Sequence, residues 1–103
     1  VAVAQLGPSN ASDASPLRPD VLAAVTAALN AHAPGVAIAP FMSAGATDGL
    51  YFRAAGIPTY GVGGIFIRES DAFAHGLNER VPVDRFYNGL THWRVLLTTI
   101  AGR

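Results

Sequence analysis

The stretch "VAIAPFMSAGATDGLYFRAAGIPTYGV", residues 36 to 62, decides the fold class that the sequence predicts. It begins with a short apolar run at 36–39 and ends with a second at 57–62, and runs of this length bounded by Pro or Gly are typical of buried strands. Between them, Thr47 is placed to cap a short helix that ends at Gly56, a natural left-handed C-terminal residue. Strand, helix and strand form a βαβ unit with parallel strands, so the predicted class is α/β.

Helices are predicted on both sides of this unit. Pro19 and Asp20 open an amphipathic helix that Pro34 and Gly35 end. Its apolar face comprises Val21, Leu22, Val25, Ala28 and Leu29. A long helix closes the chain, and its residues at helical spacing are Phe86, Leu90, Trp93, Leu97 and Ile100. We expect this last helix to pack on the sheet, with Trp93, Phe86 and Tyr87 in the core.

The composition indicates a single domain with more apolar surface than it can bury alone. Of 103 residues, 50% are hydrophobic and 14% charged, whereas about 25% charged is usual. Such a chain should self-associate when isolated. Together with a start at Val1 rather than Met, this suggests a piece of a longer protein.

No nucleic-acid partner is expected because the net charge is zero. No run approaches the roughly 20 apolar residues of a membrane span, and the compartment stays open between bacterial cytoplasm and periplasm.

The segment "DAFAHGLNER", residues 71 to 80, lies in a stretch from 63 to 82 without helical or strand periodicity. A loop of that length inside a compact domain is usually functional or disordered. Its His75 is either an ordinary histidine with one hydrogen bond or a metal ligand, since imidazole is the commonest metal-binding side chain. Zinc needs three or four protein ligands, so spacing alone makes the metal case weak. His32 and His92 are both predicted to lie on the surface.

The segment "SAGATDG", residues 43 to 49, leaves two interpretations open. It is either a plain helix entry capped by Thr47 or a glycine-rich turn whose free N–H groups bind an anion such as a substrate carboxylate. The glycines of "YGVGG", residues 60 to 64, are interpreted as structural.

The two motifs together carry a resemblance. "GATDGLYFRAAGIPTYGVGG" followed about ten residues later by "AHGLNERVPVDRFYNGLTHWRVLL" closely resembles the C-terminal part of the zinc-dependent aminoacylase and carboxypeptidase family, metallopeptidase family twenty. Its members include glutamate carboxypeptidases, succinyl-diaminopimelate desuccinylase and carnosine dipeptidases. The match spans about residues 15 to 101.

The resemblance implies roles for particular residues. His75 would be a ligand of one of two zinc ions, and the G-x-T-D turn, Gly45, Ala46 and Thr47, would line the pocket for the carboxylate side of the substrate. Asn78 and Glu79 would orient the loop and its ligand. Many relatives have Gly where this chain has Ala46 and Arg where it has Leu50, so the resemblance leaves the identity of the substrate open.

The resemblance also implies a partial domain. Residues 1–7 would be the last strand of an inserted lid domain, 8–19 a crossing linker and 20–103 the closing part of a three-layer zinc-exopeptidase-like catalytic domain. The upstream H-x-D and Glu-Glu motifs that supply the other ligands and the general base are absent from these residues. The parent would cleave a peptide or N-acyl amino acid amide bond through a metal-activated water and could form a homodimer, and this chain alone would be inactive. The alternatives are a non-catalytic relative that keeps the scaffold for binding or assembly, and a self-contained α/β binding module.

Overall fold

The computed structural model describes residues 1, 2, 4, 12–43 and 45–102. Its elements are three α-helices and one short 3₁₀ helix: α1 Pro19–Asn30, α2 Gly49–Ala54, the 3₁₀ helix Glu69–Asp71 and α3 Val83–Ala101. The chain divides into two interleaved units. Unit 1 comprises Val1–Pro16 and Pro40–Gly61, and unit 2 comprises Leu17–Ala39 and Val62–Arg103. None of the helices in the described part of the chain is both long and apolar enough to cross a membrane.

Unit 2 is built on the packing of α1 against α3. The predicted start of α1 is confirmed, because Pro19 stands at its first position and Asp20 in its first turn. The helix buries Ala24 and Ala28 completely against Leu96 of α3. Small residues on α1 bring the two helix backbones close together, so the cluster is compact but contains few large side chains.

The predicted long terminal helix is present, but the prediction of its buried face was wrong. α3 buries Gly89, His92 and Leu96, whereas the residues predicted to pack inward are exposed, Trp93 by 42%, Phe86 by 50% and Tyr87 by 62%. On this buried side, Leu96 packs against Ala24 and Ala28 of α1, and Gly89 leaves room for Ile65, whose Cγ1 would lie 2.7 Å from a Cβ at that position.

Unit 1 holds α2 and the chain around it. α2 ends as predicted, with Gly56 at a φ of +80°, the left-handed region that glycine adopts without strain. The predicted cap was wrong: Asp48 is the N-cap residue, and no side chain caps the helix. The backbone carbonyl of Thr47 accepts the Leu50 N–H at 3.1 Å instead.

The predicted α/β class was wrong, because the residues that the structure describes contain helices and no strand. There is accordingly no βαβ unit and no three-layer domain within them. Most of the predicted opening strand, residues 3 and 5–7, and residues 8–11 of the predicted linker lie outside the described residues. The boundaries proposed at residues 7 and 19 stay predictions.

Within the described residues, neither apolar run pairs with a strand. Val36 and Ile38 are exposed by 50% and 38%. In the second run, the Thr59 N–H donates to the Ser15 hydroxyl and that hydroxyl donates to the Thr59 carbonyl, both at 2.8 Å. One serine side chain therefore satisfies the two backbone groups that a sheet would otherwise pair.

Candidate functional site

The loop that carries His75 belongs to unit 2 and follows the 3₁₀ helix Glu69–Asp71. Two backbone hydrogen bonds fold it, from the Gly76 N–H to the Phe73 carbonyl at 2.8 Å and from the Glu79 N–H to the Gly76 carbonyl at 3.2 Å. His75 itself has a φ of +64°, which no other non-glycine among the described residues shares. Left-handed backbone at a side-chain-bearing residue costs free energy, and such positions cluster at ligand-binding sites.

Arg80 holds the two ends of this loop together. Its Nη2 donates to Asp71 Oδ1 at 2.8 Å, and its guanidinium carbon lies 4.6 Å from the centroid of the Phe73 ring. The loop between Phe73 and Arg80 is thus closed by one ion pair and one cation–π contact. We call this arrangement the Arg80 brace. Sequence analysis assigned no role to Arg80, although Asp71, Phe73 and Arg80 all lie within five residues of His75 in the sequence.

The side chain of His75 is exposed, so it is open to a ligand from outside the unit. Asn78 and Glu79 are exposed as well, and neither side chain forms a hydrogen bond or ion pair with the residues that the structure describes. Their predicted part in orienting His75 stays a prediction.

The described residues supply an incomplete set of ligands for a metal ion. Within the described ranges, no three His, Cys, Asp or Glu side chains lie close enough to hold an ion together. Zinc takes three or four protein ligands, so these residues fit a single contribution from His75 and not a whole site.

The predicted substrate-binding residues lie in unit 1, just before α2. Gly45, Ala46 and Thr47 are all exposed, and the Gly45 N–H donates to the Ser43 hydroxyl at 3.2 Å. An open cleft of about 480 Å³ in the same unit is lined by other residues, among them Ser12, Ser15 and Arg53. The N–H groups of Ala46 and Thr47 thus form no hydrogen bond with the described residues, unlike that of Gly45, and the turn does not line this cleft.

A pair of histidines that sequence analysis placed on the surface lies inside unit 2. His92 is only 1% exposed, and its Nδ1 lies 3.1 Å from Nε2 of His32, which is half-buried. The outer nitrogens, His32 Nδ1 and His92 Nε2, are also buried and have no hydrogen-bond partner within the described protein. Whichever tautomers form the shared bond, one buried N–H and one lone pair stay unmatched.

The surroundings of this pair are apolar. The Phe66 ring lies 5.4 Å from the His32 ring and the Trp93 ring 6.4 Å from the His92 ring. Gly64 approaches so closely that a Cβ there would lie 2.5 Å from the His92 Cβ. Burial lowers the pKa of His92, and the nearby charge of a protonated His32 lowers it further. The folded state is therefore most stable when His92 is neutral. Sequence analysis missed the contact between these histidines because they are 60 residues apart and no local pattern marks such a contact.

Comparison of the chain with protein-family models, with curated proteins and with solved structures found no match.

Proposed function

We propose that this chain is the C-terminal portion of a zinc-dependent exopeptidase or amidohydrolase that cleaves a peptide or N-acyl amino acid amide bond. The observation that carries the proposal is the conformation of His75. It is an exposed imidazole at a φ of +64°, on a loop that the Arg80 brace closes. The proposal rests on this loop and on the motif resemblance, not on a sheet.

In this proposal His75 is one metal ligand, and the ligands that complete the site come from upstream sequence. The imidazole would bind as the neutral form, whose free nitrogen lone pair is the donor. The bound zinc would supply a water made nucleophilic at neutral pH. Ala46 and Thr47 would contribute their main-chain N–H groups, and Thr47 its hydroxyl, to the carboxylate end of the substrate, and Gly45 would line the same turn. Asn78 and Glu79 would hydrogen-bond the loop once the rest of the site surrounds it.

The 103-residue chain should be inactive on its own, because one histidine gives little affinity for zinc and zinc sites depend on complete ligand sets. The test therefore uses the open reading frame in which this segment lies. Bound zinc per chain is measured by elemental mass spectrometry for the wild type, for His75→Ala and for Leu77→Ala. Leu77 is fully exposed two residues away, so its replacement controls for a general disturbance of the loop.

The expected result is about two zinc ions per wild-type chain, as in two-metal hydrolases, with a clear loss in His75→Ala and none in Leu77→Ala. Amide hydrolysis should fall with the zinc content. If neither the wild type nor the variants bind zinc, the proposal fails and the chain belongs to a non-catalytic scaffold. If His75→Ala keeps its full zinc content, His75 is not a ligand.

A further inference from the structure

The His75 loop contains a tight turn that leaves its backbone little freedom. His75 has a φ of +64°, and it is followed by Gly76, where a Cβ would lie 3.0 Å from the Phe73 carbonyl oxygen. The Gly76 N–H donates to that same oxygen at 2.8 Å. The chain therefore folds back on itself at His75, and any side chain at position 76 would have to displace the Phe73 carbonyl.

The turn holds His75 in a conformation that this residue does not favour by itself. Left-handed backbone is uncommon for residues other than glycine, and it persists where the surrounding structure enforces it. The single hydrogen bond of the turn is a small counterweight, because water competes for the same groups. Contacts beyond the turn are therefore needed to keep His75 in the left-handed state.

The Arg80 brace supplies such contacts from the two ends of the loop. Before the turn, Asp71 ends the 3₁₀ helix, and its N–H donates to the Arg68 carbonyl at 2.8 Å. After the turn, α3 begins at Val83, close behind Arg80 in the sequence. The ion pair between Arg80 and Asp71, at 2.8 Å, thus joins two points that each adjoin a helix. The residues between them must turn within that fixed span.

Arg80 also contacts the turn itself. Its guanidinium carbon lies 4.6 Å from the centroid of the Phe73 ring, and Phe73 provides the carbonyl on which the turn closes. The planar guanidinium suits both contacts, because its edge can donate to a carboxylate while its face lies over a ring. A lysine at this position would keep the charge but lose the planar fork.

We propose that Arg80 is a positioning residue for the zinc ligand His75, and that the brace keeps His75 in its left-handed conformation before the metal binds. This inference rests on the proposed function, which assigns His75 as a ligand. A protein whose binding-competent state is only partly populated binds its ligand more weakly by that fraction. Without the brace the loop samples other conformations, so the apparent affinity for zinc falls although every ligand is still present.

Arg80 differs in this respect from the two residues to which the resemblance assigns the orientation of His75. The side chains of Asn78 and Glu79 have no hydrogen-bond or ion-pair partner among the described residues. Their predicted part depends on the rest of the domain. The contacts of Arg80 are already formed within this chain.

The test measures the zinc affinity of the open reading frame that contains this segment, by competition with a chromogenic chelator. The loop variants are His75→Ala, Arg80→Ala, Arg80→Lys, Asp71→Ala and the double variant of Arg80→Ala with Asp71→Ala. Arg85→Ala is the matched control, since Arg85 is an exposed arginine whose ion pair with Asp84, at 3.3 Å, closes no loop. Thermal unfolding of the zinc-free proteins reports global stability separately.

We expect Arg80→Ala to lower zinc affinity about tenfold, the lower end of what loss of a residue that orients a metal ligand usually causes. The double variant should lose no more than Arg80→Ala, because Asp71 acts through Arg80. Arg80→Lys should keep more affinity than Arg80→Ala, and Arg85→Ala should keep all of it. The zinc-free proteins should unfold at similar temperatures, since an exposed ion pair adds little global stability.

Excess zinc separates a positioning residue from a ligand. All the ligands remain in Arg80→Ala, so its amide hydrolysis should recover when the zinc concentration is raised by the same factor by which the affinity fell. One ligand is missing in His75→Ala, and that zinc concentration should not restore its activity.

The outcomes distinguish this inference from the proposed function. If the wild type binds zinc, His75→Ala loses it and Arg80→Ala keeps the wild-type affinity, the proposed function stands and the positioning role is wrong. Equal losses in Arg80→Ala and Arg85→Ala also overturn the role, because they would come from lost charge rather than an open loop. Should Arg80→Ala fail to fold, wild-type affinity in both Arg80→Lys and Asp71→Ala overturns it. A wild type that binds no zinc overturns the proposed function and the positioning role together.

Discussion

At the scale of single residues, His92 makes the stability of unit 2 depend on pH. Its folded-state pKa lies below the usual 6.5 because burial disfavours the charged imidazole. The unfolded chain therefore binds a proton that the folded chain does not, and stability falls as the pH drops through the unfolded pKa. One proton of difference gives a slope of at most about 1.4 kcal/mol per pH unit.

We expect the urea midpoint of the wild type to be lower near pH 5 than near pH 7.5, at the same protein concentration. His92→Gln should lose most of this difference, whereas His75→Gln should keep it because His75 is exposed. Asp20 does not contribute to the difference in urea midpoint between these two pH values. Its pKa is held below 3.8 by hydrogen bonds from Arg18, so its stabilisation is lost only at more acidic pH. Equal wild-type midpoints at the two pH values would contradict the prediction.

The three histidines also show which features of single residues the sequence predicts and which it does not. A motif within ten residues was enough to single out His75, and the structure adds its unusual backbone conformation. By contrast, His32 and His92 are 60 positions apart, and each by itself has the sequence context of a solvated residue. Only the packing of α1 on α3 brings them together, and that packing rests on Ala24, Ala28 and Leu96, which have no distinctive pattern of their own.

At the scale of elements, the Arg80 brace should order the His75 loop without adding much to global stability. The Arg80–Asp71 pair is half-exposed on both sides, and exposed pairs typically contribute up to about 1 kcal/mol. Local order is a different quantity, because the brace joins the two ends of the loop. We expect Arg80→Ala to speed amide hydrogen exchange in the peptide covering residues 72–80, with little change elsewhere.

Arg85→Ala is the matched control, since Arg85 forms an exposed ion pair with its neighbour Asp84 at 3.3 Å and closes no loop. Exchange is followed by mass spectrometry on the two variants and the wild type. If Arg80→Ala exchanges like Arg85→Ala throughout residues 72–80, the brace does not order the loop.

Elements were predictable from sequence to the extent that their stabilisation is local. α1 has Pro19 and Asp20 at its start, and α2 has Gly56 after its end, so their existence follows from short-range chemistry. Strands depend instead on partners elsewhere. The run at 57–62 has the composition of a strand, yet Ser15 takes the hydrogen bonds of Thr59, a contact 44 positions away that no local pattern encodes.

At the scale of the whole molecule, the apolar composition predicts that the isolated chain self-associates. One side of α3 exposes six apolar side chains, which we call the α3 stripe: Val83, Phe86, Leu90, Trp93, Leu97 and Ile100. Sequence analysis found the period of α3 but assigned five of these six residues to the inside of the domain. A period shows which side chains share a face. It does not show whether that face packs within its own domain or against another surface.

Association should make thermal stability depend on concentration. Anything that binds the folded state and not the unfolded one stabilises it by mass action, and for a partner in excess of its dissociation constant each tenfold rise in concentration adds about 1.4 kcal/mol. For a domain of this size that corresponds to a rise of several degrees in Tm. Leu97 lies in the α3 stripe and is 57% exposed, whereas Thr98 is exposed outside it, so Leu97→Glu and Thr98→Glu place the same charge inside and outside the stripe. We expect the wild type and Thr98→Glu to melt at progressively higher temperature from about 5 to 500 µM, and Leu97→Glu to depend less on concentration. Zinc added to the same samples should leave all three Tm values unchanged, because His75 alone does not form a site. A wild-type Tm that is independent of concentration would contradict self-association, and a Tm that rises with zinc would contradict the view that this chain lacks the other ligands.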